Sequence, residues 1–329
     1  MIAVTGASGH IGANLVRALL ERGEKVRVLV RKDVRAIEGL DVERVEGDVL
    51  DVPSLDNLIA GADCVYHLAA RITLVPDRDG SVQRINVEGP KNVAEACMRH
   101  RIPRLVHFSS IHAFSEFPRD GVVDETRPLT DDSNIFVYDR SKAAGERAIQ
   151  EAVKRGLNAV IVNPTAVIGP YDFKPSALGS ALLDLYEGRM PALVKGGFDW
   201  VDVRDICAGA MAAAEKGGVG EKYLLTGHHL PFPQLARIVE AETGLKMPRL
   251  SLPMWMAYMG VPFAAFASRI TGKPPKFTRA SLHALWNHQQ ISHAKATREL
   301  GYSPRPINET IRDTYAWFEK NGYARRKTR

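Results

Sequence analysis

At 329 residues, with 45% hydrophobic and 25% charged side chains, the chain has the size and balance of an ordinary globular protein with a large core. Part of its net charge of +6 sits in the terminal run Arg325, Arg326, Lys327 and Arg329; elsewhere basic residues alternate with acidic ones and no basic stripe is interleaved with aromatics, which speaks against a nucleic-acid partner. Cys64, Cys97 and Cys207 are too few and too scattered for a disulfide framework or a zinc site and read as buried thiols of a cytoplasmic protein.

Met1 leads directly into the apolar run Ile2, Ala3 and Val4, so no secretory signal peptide is expected. Thr5-Gly6-Ala7-Ser8-Gly9-His10-Ile11-Gly12 follows, and then helical periodicity from Asn14 to Leu20. A glycine-rich turn between strand and helix aims the unpaired N–H groups of a helix N-terminus at a phosphate. Gly6 suits a tight turn, Gly9 lets backbone approach a pyrophosphate, and Gly12 permits close packing of helix on sheet. Strands are predicted at Ile2–Thr5, Lys25–Val30, Val42–Val45, Cys64–His67, Leu105–Phe108 and Ala159–Val162. Helices are predicted over about His10–Arg22, Pro53–Ile59, Val82–His100 and Tyr138–Lys154. That alternation predicts an α/β fold with a doubly wound parallel sheet, whose right-handed crossovers gather the strand ends along one edge.

After Asn163-Pro164, prolines and glycines crowd residues 169–197 around a short predicted helix near Ser176–Glu187. Trp200–Lys216 reads as a strand end and a helix capped by Asp205, Tyr223–Thr226 as a strand, and Pro233–Thr243 as a helix. A dinucleotide-binding unit over 1–163, rejoined by 198–226, is expected beside a smaller, mostly helical substrate-binding unit over 164–197 and 227–329. Residues 250–267 form a long apolar stretch, but Ser251, Pro253, Gly260 and Pro262 interrupt it, so no transmembrane span is expected. A helical lid or core helix is the expectation there, ahead of a peripheral contact along a membrane surface.

Tyr138-Asp139-Arg140-Ser141-Lys142 places a phenol and an ammonium four residues apart, on one face of a predicted helix. A free tyrosine titrates near ~10. A fixed cation beside it lowers that value, so Tyr138 is expected to exchange protons near neutrality. Ser109-Ser110 follow the strand Leu105–Phe108, where a hydroxyl can donate to a carbonyl at the sheet edge. Singly, these features also suit a surface pair and a turn or cap. Their order is what points to dinucleotide-dependent chemistry: glycine turn, strand-end serine, then Tyr-x-x-x-Lys. His228-His229 in a loop lacks a Cys or Asp cluster, and His283, His288 and His293 recur every five residues without sharing a helical face, so no metal is expected. Asp202, Arg204 and Asp205 are candidates to frame the substrate pocket, with Asp205 at least as well suited to cap a helix.

Together these stretches resemble an extended short-chain dehydrogenase/reductase along nearly the whole chain. The matching segments are TGASGHIG, GDVLD (47–51), HLAA (67–70), NVEGPKNVAEAC (86–97), HFSSIHAF (107–114), YDRSK, NPTAVIGP (163–170), WVDVRDICAGA (200–210) and LGYSPR (300–305). The nearest likeness is to the dihydroflavonol reductase-like, 3-beta-hydroxysteroid dehydrogenase-like branch of the NAD-dependent epimerase/dehydratase family. The resemblance implies a Rossmann fold with Ser110, Tyr138 and Lys142 as the catalytic group and Asn86 ordering the site. It also implies cofactor contacts from Tyr138 and Lys142, with Lys142 at the nicotinamide ribose, from Gly6, Ser8, Gly9, His10, Ile11 and Gly12, and from Asp48 and Val49 toward the adenine. His67, Leu68, Ala69 and Ala70 are implied along the nucleotide, and Pro164, Thr165, Ala166 and Val167 at the nicotinamide. Arg71, Ile111, His112, Phe136 and Tyr171 fall at implied substrate positions.

A carboxylate at the end of the second strand would hold ribose hydroxyls and repel a 2′-phosphate. This chain instead reads Val28-Leu29-Val30-Arg31-Lys32, with Asp33 the first acid, and so predicts NADP(H), with NAD(H) the alternative. Sugar dehydratases of the family carry Asp-Glu where this chain has Ile111-His112. The expected activity is therefore reduction or dehydrogenation of a fairly apolar small molecule at a carbonyl or secondary alcohol. Met254, Trp255, Tyr258, Met259 and Phe263 would supply an apolar wall. An NAD-dependent nucleotide-sugar epimerase is the alternative, and a non-catalytic cofactor-binding sensor a more distant one. The resemblance allows a homodimer paired through Val82–His100 and Tyr138–Lys154, or a monomer.

Overall fold

The computed structural model describes residues 1–131, 135–271, 278–287 and 290–324. His288 and the basic tail Arg325, Arg326, Lys327 and Arg329 lie outside the described residues. The first half runs β1 (Ile2–Thr5), α1 (His10–Glu21), β2 (Val26–Val30), β3 (Glu43–Glu46), α2 (Val52–Ile59) and β4 (Cys64–His67). Next come α3 (Ser81–Gln83), which continues through a π-helical turn at Arg84–Glu88 into α4 (Gly89–Arg99), β5 (Leu105–Phe108), α5 (Val137–Lys154) and β6 (Ala159–Pro164). The second half runs β7 (Ala166–Ile168), α6 (Ala177–Tyr186), β8 (Leu193–Val194), β9 (Gly197–Asp202), α7 (Val203–Lys216), β10 (Lys222–Leu225) and β11 (His228–Pro231). It closes with α8 (Phe232–Thr243), β12 (Ser251–Leu252), α9 (Met254–Thr271), α10 (Arg279–Ala284), α11 (Ala294–Leu300) and α12 (Ile307–Lys320).

β1, β4 and β5 are buried at every position, as strands covered by helices on both faces must be. Among the described residues, seven strands form a sheet in the order β10-β6-β5-β4-β1-β2-β3, every pair parallel. Alternating side chains feed two cores. Val4, Val28, Tyr66, Val106 and Val162 pack against Leu15 and Val16 of α1 and Ile206 and Met211 of α7. Ala3, Leu29, Val65, Leu105 and Ile161 pack against Leu55 and Leu58 of α2, Val93 and Cys97 of α4 and Ile149 of α5. The chain winds outward in both directions from β1 and β4, so the crevice at their carboxyl ends is where this topology places a ligand.

A third core gathers Leu182, Trp200, Phe232, Leu235, Tyr315 and Phe318 around a small sheet of order β11-β9-β7. The expected partition is redrawn in two places. Of residues 198–226, α7 and β10 return to the large sheet, while β9 pairs with β7 and β11. Within 227–329, Ala296, Leu300 and Tyr302 pack into the first core. The cap of α7 is Asp202, which accepts from Arg204 N at 2.8 Å, rather than Asp205. Asp205 lies inside the helix, where it accepts from the Arg305 backbone N and pairs with its guanidinium. His228-His229, expected in a loop, begin β11, with His228 Nε2 2.9 Å from Arg305 O. Cys64, Cys97 and Cys207 are buried free thiols.

Candidate functional site

The turn after β1 is built so that only glycine fits. Gly6 has φ +74°, and a Cβ there would stand 2.7 Å from Ala69 N at the end of β4. A Cβ on Gly12 would collide with the Gly6 carbonyl and lie 2.8 Å from Ala7 Cα, so Gly12 packs within the turn itself rather than against the sheet. Ser8 and Gly9 are exposed at its tip, and α1 begins without a side-chain cap, leaving first-turn N–H groups for an anion. His10 Nε2 lies 3.0 Å from Pro170 O and 3.2 Å from Gly169 O, and Asn14 donates to Pro170 O at 2.9 Å. These contacts lash α1 to the loop after β7. Ile11 O accepts from the Cys207 thiol.

At the end of β2, Arg35 binds the Asp33 carboxylate through Nε at 2.9 Å and Nη2 at 2.7 Å, and holds it down at about 2. The first acid after the strand is thus already engaged. Arg31 and Lys32 are exposed, with Arg31 Nη1 3.4 Å from Asp48 Oδ2. Asp48 Oδ1 also accepts from Leu50 N at 3.0 Å, and Val49 packs beneath Gly89. The His67 side chain turns into the core: its Nδ1 meets Thr5 Oγ1 at 2.7 Å and its ring stacks on His107 at 5.3 Å. Burial, then the Lys142 charge, pushes His67 down to about 3, so its ring is neutral. Leu68 and Ala69 stay at the turn, where both backbone N–H groups donate to Thr5. Ala70 is exposed.

Ser110 follows β5 and accepts from His112 N at 3.2 Å, while Ser109 Oγ is buried without a partner. Tyr138, in the first turn of α5, is half-buried, and the Ser110 side chain is near enough to favour its phenolate. One turn on, buried Lys142 donates from Nζ to Phe108 O, the last residue of β5, at 2.7 Å. The three groups therefore converge at the carboxyl end of β5. The expected lowering of Tyr138 by Lys142 is not what the structure gives. Burial pushes the phenol up to about 12, the Ser110 hydroxyl offsets part of this, and Asp139 adds to the rise. The ammonium itself donates to a carbonyl, and burial pulls it down to about 8. Because the charged amine is lost as pH rises through that value, dinucleotide affinity is expected to weaken above about 8 if Lys142 holds the ribose as the resemblance implies. The same limb should persist in Tyr138→Phe, measured by fluorescence titration; its absence there would detach it from Lys142.

Asn86, in the π-helical turn, accepts from Arg71 N at 2.8 Å and donates to Arg71 O at 3.0 Å and Ser141 Oγ at 2.9 Å. Ser141 in turn donates to Tyr138 O at 2.7 Å. Asn86 thus ties the loop after β4 to the first turn of α5 and positions the phenol without touching it. The Arg71 guanidinium meets Asp79 and Ser81. Ile111 is buried beside Ser110. Phe136 precedes α5 and lines a cavity of about 1090 Å³ with Leu74, Val75, Pro76, Val137 and Val261. Tyr138 is absent from that lining, so the cavity adjoins the Ser110, Tyr138 and Lys142 cluster through Val137 rather than covering it. Tyr171 lies under the Arg17 guanidinium at 4.4 Å and packs on Trp317, outside the Ser110 group. Beyond Pro164, Thr165 Oγ1 donates to Asp199 at 2.7 Å, and Ala166 and Val167 pair with Trp200 and Val201.

Sequence reasoning missed Asp139. Its buried carboxylate stands 3.2 Å from His112 Nδ1, holds that imidazole up despite burial, and brings the ring edge-on to Tyr138 at 5.6 Å. Nothing in the spacing of residues 112 and 139 announces the pair. Among the described residues no cluster of His, Cys, Asp or Glu could hold a metal.

The chain matches the family model described as NAD dependent epimerase/dehydratase family over residues 2–225. It is 39% identical to sterol demethylase protein B of Methylococcus capsulatus, across 97% of this chain and 98% of that protein. Identity to a putative dihydroflavonol 4-reductase of Synechocystis sp. is 30%, across 98% and 95% of the two chains. The crystal structure of gox2253 superposes with a TM-score of 0.86 at 33% identity, covering 99% of each chain. With a glycine-built turn between β1 and α1 and a converged Ser-Tyr-Lys group on such a sheet, the chain belongs to the NAD-dependent epimerase/dehydratase family and is an NAD(P)-dependent oxidoreductase of the extended short-chain dehydrogenase/reductase type.

Proposed function

We propose that the protein is an NADP(H)-dependent reductase of a ketone on a bulky, apolar, sterol-like molecule. The observation that carries this reading is the convergence of the Tyr138 phenol, the Ser110 hydroxyl and the buried Lys142 amine at the carboxyl end of β5. The turn at Gly6–Gly12 fits a pyrophosphate, since no side chain caps α1 and no Cβ fits at its two closest approaches. The dinucleotide, when bound, supplies the hydride. Ser110 holds the substrate oxygen and Tyr138 gives its proton to that oxygen, while Lys142 is the residue to hold the ribose hydroxyls. A phenol held up at about 12 is populated as the acid at neutral pH, the form that reduction consumes.

The cavity beside Phe136, whose surface is mostly apolar although Asp77, Arg140 and Arg147 also line it, and the 39% identity to a protein named for sterol demethylation support the substrate class. Ile111-His112 in place of an acid pair weighs against sugar dehydration. The test is NADPH oxidation with a series of steroid ketones and, in parallel, epimerisation of nucleotide sugars in the presence of NAD, followed by product analysis. Turnover of the sugars alone would sink the proposal.

Arg31 supports the choice of NADP(H), because Arg35 has already taken Asp33. An arginine–phosphate hydrogen bond contributes about 1.5–3 kcal/mol, so Arg31→Ser should raise KM for NADPH roughly 10- to 100-fold. KM for NADH should barely move. Equal or better efficiency of the parent enzyme with NADH would overturn the assignment.

A further inference from the structure

Helix α9 turns its large side chains away from the protein. Trp255, Met259, Phe263, Phe266 and Ile270 recur at intervals of three or four, form one stripe, and are 63–76% exposed. The small or branched Ala257, Val261 and Ala264 are partly buried between them. Leu250 ahead of the helix and Trp286 after α10, which packs on α9, extend the apolar surface and are also more than half exposed. Scattered surface apolars do not account for so many on one helix and its flanks. The expected core helix is therefore not what α9 is, and the proposed apolar wall of Trp255, Met259 and Phe263 faces outward.

Charge identifies the occupant. From Thr243 to Arg298 the sequence holds eight lysines and arginines and no Asp or Glu. Exposed Lys246 and Arg249 stand before the helix and exposed Arg279 after it; Arg249 keeps one carboxylate partner, Glu240 at 2.8 Å. We propose that this stripe docks on an anionic lipid bilayer, its aromatic and aliphatic side chains entering the acyl boundary while the flanking cations meet lipid phosphates. A second copy of the chain is the poorer occupant, because two such faces would set cationic, acid-free segments against each other. Among the described residues no helix is long and apolar enough to cross a membrane, so the docking is in the plane of the interface. Val261, between the outward residues, lines the cavity that reaches Phe136, which places an apolar substrate's route from the bilayer beside the site. Docking itself does not depend on the reductase reading, and its test reads no activity.

The full chain is mixed with vesicles of phosphatidylcholine alone or of equimolar phosphatidylglycerol and phosphatidylcholine, and partition is measured by flotation with tryptophan emission as a second readout. Partition onto the anionic vesicles is expected, with a blue shift, and should weaken at least ~10-fold on neutral vesicles or in high salt. Met259→Glu with Phe263→Glu should weaken it by at least ~10-fold more, since two large apolar side chains lose their burial. Both side chains are mostly exposed, so the double variant should keep the parent melting temperature and NADPH affinity. No partition onto anionic vesicles, or partition indifferent to the double variant, overturns the proposal. A dimer that the double variant converts to monomer, without vesicle binding, also overturns it and assigns the stripe to a second copy.

Discussion

Tyr138→Phe is expected to bind NADPH with about the parent affinity and to lose roughly 10²- to 10⁴-fold in kcat for ketone reduction, the range over which a positioned general acid contributes. The substitution removes one hydroxyl and keeps the ring. The ring's packing against His112, at 5.6 Å between centroids, and the turn held by Ser141 to Tyr138 O are both untouched. Ser110 loses a neighbouring hydroxyl but keeps His112 N, so local structure should hold. Cofactor affinity, read by fluorescence titration, separates chemistry from binding because Lys142 reaches Phe108 O without help from the phenol. A variant retaining more than about a tenth of parent kcat would remove Tyr138 from the proton-transfer role. Asn86→Ala makes a useful contrast: a residue that acts only through Arg71 and Ser141 should lower kcat less and disturb the melting temperature more.

Most of the frame was legible because fully buried four-residue strands leave little freedom. β1, β4 and β5 fall on the predicted residues, each an apolar run bounded by turn formers or charges. Parallel topology then does the rest. It brings every strand's carboxyl end to one edge, so Ser110 after β5 and Tyr138 at the start of the next helix become neighbours although 28 positions apart in the chain. What spacing could not convey is where a long side chain ends. Lys142 shares a helical face with Tyr138, yet its amine donates to the Phe108 carbonyl, and burial, not the cation, governs the phenol. Asp205 is a good cap on paper, but α7 begins at Val203, ahead of it, and the role falls to Asp202 at the end of β9. The apolar content of residues 250–267 was plain, but composition does not say which side of a helix is covered. Nor does it pair His67 with His107, or His112 with Asp139, since those contacts exist only once strand order and helix placement are fixed.

Gly12→Ala and Gly9→Ala should separate stability from cofactor binding at the turn. The Gly12 Cβ would collide with the Gly6 carbonyl and press Ala7 Cα at 2.8 Å, and both of these are backbone groups within one tight turn. Gly9 N donates to Gly6 O at 3.0 Å and Ala13 N to Gly9 O at 2.8 Å, so neither side of the collision can yield without breaking the start of α1. Overpacking of this kind costs about 1–3 kcal/mol. Gly12→Ala should therefore lower the melting temperature by on the order of several degrees. It should also weaken NADPH binding by roughly 100-fold or more, since displaced N–H groups no longer converge on the pyrophosphate. At Gly9 the backbone, φ −80° and ψ 169°, is one that alanine adopts freely, and its Cβ would lie 3.3 Å from Gly6 O at an exposed tip. Gly9→Ala should thus keep the parent melting temperature within about 1 kcal/mol of stability while still losing affinity, because the new methyl occupies the approach to the pyrophosphate. Differential scanning calorimetry and NADPH titration on both variants give the four numbers needed. If Gly9→Ala binds NADPH as the parent does, the pyrophosphate does not sit at this turn, and the cofactor placement fails whatever Gly12→Ala shows.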